Sequence, residues 1–147
     1  MNLTLLEQEL RRDEGVRFSP YKDTMGIMTV GIGHNLQAKP LHNVTYPLTP
    51  DQVSAIFQYD VKEAVDNLNQ HLPWWGHMDE VRQRVLVNMC FNLGMEKLLT
   101  FKNTLMFMSL GNYSQAAANM QQSAWYTQVG QRAVRLVQAM KTGIIPQ

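Results

Sequence analysis

The chain has 147 residues, of which 45% are hydrophobic and 17% charged, a composition typical of one globular domain. A chain of this length buries roughly 70% of the surface that its unfolded form exposes, so it can form a core without disulfides. Its single cysteine, Cys90, excludes an internal disulfide and lies in an apolar run that favours burial. No apolar run reaches the ~18 residues that span a bilayer, and the N-terminus lacks the basic start of a signal peptide. We therefore expect neither a membrane segment nor an export signal.

The formal net charge of +1 is unevenly distributed along the chain. Residues 1–96 contain twelve acidic and eight basic side chains, whereas residues 97–147 contain five basic side chains and no acidic one. Such a basic segment favours an anionic partner through long-range attraction. Because no run of basic residues with interleaved aromatics accompanies it, we expect no nucleic-acid partner.

The first predicted element is a helix that stops near Gly15, because Leu3, Leu6 and Leu10 recur at helical spacing. Glu14 lies four residues after Leu10, on the side of this helix that should face protein. A carboxylate in that place is unusual and points to a catalytic task or a cationic partner.

A small antiparallel sheet is predicted next, over roughly residues 18–36. Turn residues at Asp23–Gly26 are followed by a β-branched, glycine-punctuated segment over 27–34. Residues 37–48 contain two prolines and no clear period, which predicts a loop.

The remaining chain predicts helices. Thr49-Pro50-Asp51-Gln52 combines an N-cap hydroxyl, a proline at the first helical position and a glutamine three residues later, so a capped helix should run to about Gln70. Further helices are predicted at about 79–93, 101–110, 113–123 and 131–141. The order of one helix, a small sheet and then helices is typical of an α+β fold.

Several chemistries are disfavoured by the residues themselves. No serine or cysteine lies in a nucleophile elbow, the four histidines lack paired metal-ligand spacing, and no glycine-rich loop opens a helix. We therefore expect no metal and no cofactor.

Two carboxylates in different settings remain: Glu14 on an apolar helix face and Asp23 in a polar turn. Glycoside hydrolysis needs one carboxylic acid that keeps its proton and a second carboxylate that stays ionised. Acids near turns and helix ends are common, so this pairing alone leaves the function open.

The segment Asp13-Glu14-Gly15, followed by Tyr21-Lys22-Asp23-Thr24-x-Gly26-x-x-Thr29-x-Gly31-x-Gly33-His34, resembles the active-site signature of the phage-type lysozymes, family 24 of the glycoside hydrolases. The intervals between Glu14, Asp23 and Thr29 are those of the family. The resemblance continues in order through Asn88-Met89-x-Phe91-x-x-Gly94 and Ser123-x-Trp125-Tyr126-x-Gln128, and so covers nearly the whole chain.

The resemblance implies a two-lobed α+β fold in one lysozyme domain over residues 1–147. A small β lobe over about 15–60 would face a helical lobe made of 1–14 and about 61–147. A long helix would join them, with the substrate between the lobes.

The implied reaction is hydrolysis of the β-1,4 bond between N-acetylmuramic acid and N-acetylglucosamine in peptidoglycan. Glu14 would be the general acid, Asp23 the carboxylate across the bond, and Thr29 a residue that positions water. Asp23 could serve as general base or as electrostatic stabiliser. The family inverts the anomeric centre, which requires about 6.5–9.5 Å between the two carboxyl groups.

The resemblance also implies supporting roles. Substrate contacts would come from Phe91, Thr104, Asn119 and Asn35, although Asn35 stands where the family carries an apolar residue. Arg132 would meet the catalytic glutamate. His34 and Asp60 would form an ion pair between the sheet and the long helix, and we expect this pair to stabilise the fold without a part in the chemistry.

The implied role is host cell lysis by a phage. The expected partners are peptidoglycan and a separate holin-type membrane protein, which would release a monomeric enzyme from the host cytoplasm. Two alternatives stay open: a lytic transglycosylase of the same fold, and a catalytically idle wall-binding or structural domain. Asp23 and Thr29, which would handle water, argue against the first; the intact set of Glu14, Asp23 and Thr29 argues against the second.

Overall fold

The computed structural model describes residues 1–146 and confirms the α+β class. Within these residues the elements follow in the order α1 Leu3–Glu14, β1 Arg17–Lys22, β2 Met28–Gly31, β3 His34–Asn35, α2 Pro50–His71, a 3-10 turn at Trp75–His77, α3 Glu80–Leu93, α4 Met95–Leu98, α5 Lys102–Ser109, α6 Tyr113–Gln121, α7 Ala124–Val129 and α8 Gln131–Thr142. They form two compact units. We call Leu3–Glu63 the sheet unit, and Met1–Asn2 together with the chain from Ala64 onward the helical unit.

The sheet unit begins with α1, which ends at Glu14 before Gly15 adopts a φ of +75°. Leu6 and Leu10 are fully buried, but Leu3 is 60% exposed, so the predicted apolar stripe is wrong at its first position. Leu3 is the first residue of the helix and lies nearly a turn before the buried part of that face. The three strands form an antiparallel sheet in the order β1-β2-β3.

The capping box predicted for α2 is confirmed in both directions. The backbone N–H of Gln52 donates to the Thr49 hydroxyl at 3.1 Å, and the backbone N–H of Thr49 donates to the Gln52 side chain at 2.9 Å. The inward stripe is buried at Val53, Phe57, Val61, Ala64 and Leu68. Asp60 lies within this stripe and is only 5% exposed, so it needs polar partners there.

The helical unit is built on α3, whose N-cap Asp79 accepts the backbone N–H of Arg82. Cys90 is buried on α3, as the apolar run predicts. Trp125 is 4% exposed and donates its indole N–H to the Asn92 side-chain carbonyl at 2.8 Å, so it packs in the core of this unit.

The short helices α4 and α7 were not predicted. The predicted helix over 113–123 ends at Gln121, and the Ser123 hydroxyl then caps α7. Helices of four and six residues contain too few positions for a repeating apolar period.

The predicted division into lobes stays a prediction. It placed residues 1–14 with the later helices, whereas the two compact units place α1 with the sheet. In residues 1–146 no helix combines the length and the apolar character needed to cross a bilayer.

Candidate active site

Asp23 is held by the turn between β1 and β2. Its Oδ1 accepts the backbone N–H groups of Met25 at 2.9 Å and Ile27 at 2.8 Å. This is the Asx-type turn that aspartate favours. In the part of the chain that the structure describes, no hydrogen bond engages Oδ2, so this oxygen is left to act on a ligand or on water.

Thr29 lies at the centre of the sheet, because it pairs with Tyr21 on β1 and with Asn35 on β3. Its side chain is buried, and its hydroxyl donates to the Ile27 carbonyl at 2.9 Å. With its proton committed, the hydroxyl oxygen keeps lone pairs that can accept a hydrogen bond.

Glu14, the last residue of α1, is half-buried and packs against the β2–β3 turn. A Cβ at Gly33 would lie 2.6 Å from Glu14 Oε2 and 2.7 Å from its Cδ. Gly33 also has a φ of +63°, a conformation that L side chains rarely adopt. The carboxylate of Glu14 therefore rests on backbone that only glycine can provide without displacement.

Tyr21, which pairs with Thr29 in the sheet, lies within electrostatic range of both carboxylates. Burial raises the pKa of its phenol above the ordinary 10.0, and so do the negative charges of Glu14 and Asp23, while Arg17 acts in the opposite direction. The Arg17 guanidinium lies over the Tyr21 ring at 4.9 Å from the centroid. Glu14 and Asp23 thus act electrostatically on one and the same side chain.

His34 and Asp60 form the predicted ion pair, with His34 Nδ1 and Asp60 Oδ2 2.7 Å apart. Lys39, which the sequence did not single out, adds a second cation, with Nζ 2.6 Å from Asp60 Oδ1. Burial alone would lower the pKa of His34 and of Lys39, but the hydrogen bond and the charge of Asp60 outweigh it and raise both.

The side chain of Asn35, a residue expected to contact substrate, forms hydrogen bonds with its neighbours in the chain. Its side-chain carbonyl accepts the backbone N–H groups of Gln37 and Ala38, each at 2.9 Å. These bonds shape the turn after β3, and the role of Asn35 in substrate binding stays a prediction.

The other expected substrate residues lie in the helical unit. The buried Thr104 on α5 donates its hydroxyl to the side-chain carbonyl of Asn119 on α6, so the structure brings these two together. Phe91 is half-buried on α3. Their contacts with a glycan stay predictions.

Arg132 is buried on α8, where its Nε donates to the Asn88 side chain at 2.9 Å. The buried Asn88 holds the guanidinium in one orientation. The expected role of Arg132 beside the glutamate stays a prediction.

The model of the Phage lysozyme family matches residues 11–141. The chain belongs to the phage lysozyme family. It is 27% identical to probable T4-type lysozyme 1 of Dictyostelium discoideum, over 95% of each chain. It is 28% identical to the pre-baseplate central spike protein Gp5 of Enterobacteria phage T4, over 97% of this chain and 28% of the spike protein. It is also 29% identical to peptidoglycan hydrolase gp36 of Pseudomonas phage phiKMV, over 90% of this chain and 15% of that protein.

Three residues that lie around this candidate site were not predicted from the sequence. Tyr21 and Gly33 stand within the signature, so the motif could have drawn attention to them. Lys39 lies in a loop without a motif, and only the fold brings it to Asp60. Among residues 1–146, no three His, Cys, Asp or Glu side chains converge as a metal-binding cluster.

Proposed function

We propose that this phage lysozyme hydrolyses the β-1,4 bond between N-acetylmuramic acid and N-acetylglucosamine in peptidoglycan. The observation that carries the proposal is that the sheet unit holds two carboxylates in different settings, Glu14 at the end of α1 and Asp23 in the turn between β1 and β2. Glu14 packs on the backbone of Gly33, whereas Asp23 sits in a polar turn. Glycoside hydrolysis requires such a division between two acids.

In the proposed reaction, Glu14 gives a proton to the glycosidic oxygen as its bond to the anomeric carbon breaks. Water adds to that carbon from the opposite face, which inverts its configuration. Asp23 takes up the proton of this water through Oδ2, since Oδ1 already accepts two backbone N–H groups. Thr29 accepts a hydrogen bond from the same water, because its own proton is given to Ile27.

Glycan contacts in this proposal come from Phe91, Thr104 and Asn119. The Thr104 hydroxyl fixes the Asn119 carbonyl, so the Asn119 amide N–H groups are turned away from Thr104. N-acetyl sugars carry amide carbonyls that such donors can bind.

The cellular role that we propose is host lysis by a monomeric enzyme, released to the wall by a separate holin-type membrane protein. Membership in the phage lysozyme family supports this role.

The decisive test is Glu14→Gln, which removes the proton donor and keeps the shape of the side chain. We expect loss of at least ~10²-fold in the clearing of permeabilised Gram-negative cells, the lower end of what a general acid contributes, with the melting temperature near wild type or higher. Asp23→Asn should also cripple clearing. Substantial activity of Glu14→Gln would refute the assignment.

The control for this test is Glu7→Gln, because Glu7 lies on the same helix and pairs with Arg11 at the surface. It should clear cells at the wild-type rate. Mass spectrometry of the digest separates hydrolysis from the transglycosylase alternative, since hydrolysis leaves reducing ends and transglycosylation leaves anhydro ends.

The idle structural domain stays a second candidate, because the spike protein Gp5 carries a related segment within a much longer chain. Under this alternative the wild-type protein would bind isolated peptidoglycan without releasing soluble fragments.

A further inference from the structure

Lys39, in the loop after β3, closes a ring of contacts with His34 and Asp60. Its ammonium lies 2.6 Å from Asp60 Oδ1, while its backbone carbonyl lies 2.8 Å from His34 Nε2. His34 Nδ1 in turn lies 2.7 Å from Asp60 Oδ2. Lys39 thus contacts both members of the ion pair: its side chain binds Asp60, and its backbone carbonyl binds His34.

The ring is mostly withdrawn from water. The side chains of His34 and Asp60 are each 4% exposed, and that of Lys39 is 33% exposed. A buried carboxylate that loses one of two cationic partners keeps the cost of burial without the full compensation. Removal of the ammonium should therefore displace Asp60, the loop that carries Lys39, and the His34 ring.

The ring reaches the proposed general acid through Gly33, which precedes His34 in the chain and lies against Glu14 in space. His34 directly follows Gly33, and a Cβ added at Gly33 would lie 2.6 Å from Glu14 Oε2, too close for two side-chain atoms. The Gly33 backbone therefore lies against this carboxylate. A displacement of His34 that carries its backbone along shifts the peptide that joins it to Gly33, and so shifts the surface on which Glu14 rests.

We propose that Lys39 is a positioning residue, which acts through His34 and Gly33 to hold Glu14 in the orientation needed for proton transfer. The proposal rests on the proposed function of Glu14. A general acid must come within hydrogen-bond reach of the oxygen that it protonates. Misplacement of a reacting group by 1 Å can cost on the order of 10²-fold in rate, so a smaller displacement should have a measurable effect.

The test compares Lys39→Met, which keeps the length of the side chain and removes its charge, with Lys39→Arg, which restores a cation. The substrate is a soluble peptidoglycan oligomer, and all variants are assayed at a temperature where circular dichroism shows them fully folded. We expect kcat to fall about tenfold in Lys39→Met with KM changed less than twofold, and to recover at least half of the wild-type value in Lys39→Arg; these figures lie within the range for misplaced groups.

Glu63→Gln is the matched control, because Glu63 is the outer partner of the same lysine at 3.4 Å and is 45% exposed. Exposed ion pairs contribute little, so this variant should keep the wild-type kcat. If Lys39→Met does not fold, Lys39→Gln takes its place under the same criteria.

A spectroscopic measurement separates this proposal from the proposed function. The carbon-13 resonance of the Glu14 carboxyl and the amide resonance of Gly33 should both move in Lys39→Met and stay in place in Glu63→Gln. An inactive wild-type protein whose resonances respond in this way would overturn the proposed function and leave the coupling intact. An active wild-type protein with unchanged kcat or unchanged Glu14 resonance in Lys39→Met would overturn the proposal.

Discussion

Gly33 controls how closely the β2–β3 turn approaches the carboxylate of Glu14. An added methyl group would lie 2.6 Å from Glu14 Oε2, a distance at which one of the two must move. The φ of +63° adds backbone strain for any residue with a Cβ. Gly111, which follows α5 in the helical unit, has a similar φ of +74°, but an added Cβ would meet nothing within 4 Å.

A comparison of these two glycines separates the effect of the contact with Glu14 from the effect of backbone strain. Both Gly33→Ala and Gly111→Ala should lose about 1–3 kcal/mol of unfolding free energy, the usual cost of a non-glycine residue in a strained conformation. Only Gly33→Ala should also lose hydrolysis, by at least about tenfold, because it alone displaces Glu14. Denaturant unfolding and cell clearing measure the two effects, and equal activity in both variants would contradict the role given to the contact.

The sequence predicted the candidate site in part. The motif supplied Glu14, Asp23 and Thr29, because their identity and intervals are a property of the sequence. It did not supply the contact between Gly33 and Glu14, since a motif contains no distances. Lys39 could not be predicted, because it lies 21 residues from Asp60 in a segment without a period, and only the turn capped by Asn35 brings it there.

At the level of elements, His34 ties β3 to α2 through Asp60. Although burial lowers it, the hydrogen bond and the charge of Asp60 raise the pKa of His34 above its ordinary value. A group whose pKa is higher in the folded than in the unfolded state stabilises the fold fully below the unfolded pKa, about 6.5 for histidine. That contribution is lost as the pH rises through the higher folded pKa.

We therefore expect His34→Asn to be most destabilising at about pH 5.5 and less so at about pH 9, since the first lies below and the second above the ordinary histidine pKa. Unfolding free energies of the variant and the wild type, measured across this range, should converge as the pH rises. His71→Asn, at the exposed end of α2, is the control and should follow the wild-type curve. A difference that grows with pH would contradict the assignment of His34 as a protonated partner of Asp60.

Element boundaries were predictable wherever local chemistry marks them. The capping box at Thr49 predicts the first residue of α2, and Gly15 predicts the end of α1. The predicted helix over 113–123 contains Ser123 and so does not show the break between α6 and α7. In the structure the Ser123 hydroxyl caps α7. The burial of Asp60 on an apolar stripe was predictable from its spacing, but the presence of two cations around it was not.

For the whole molecule, burial decides which of the basic side chains in residues 97–147 can act on a partner. Of the five basic residues in 97–147, Arg132 is buried and Arg135 is half-buried. Lys97, Lys102 and Lys141 are exposed. The excess of positive charge available to a partner in this segment is therefore carried by three lysines.

Exposed charges act at long range and are screened by salt, with a Debye length of about 8 Å at physiological ionic strength. We expect the three lysines to attract the anionic cell wall. Replacement of all three by glutamine should therefore slow the clearing of whole wall at low salt by about threefold to tenfold, the lower end of the range for electrostatic steering. At high salt the wild-type rate should fall to that of the variant, so the two proteins should clear whole wall equally fast. Cleavage of a short peptidoglycan oligomer whose carboxyl groups have been amidated should be unchanged at every salt concentration, because Glu14, Asp23 and Thr29 are untouched. An equal loss on whole wall and on the amidated oligomer would show instead that the lysines act on the site or on folding.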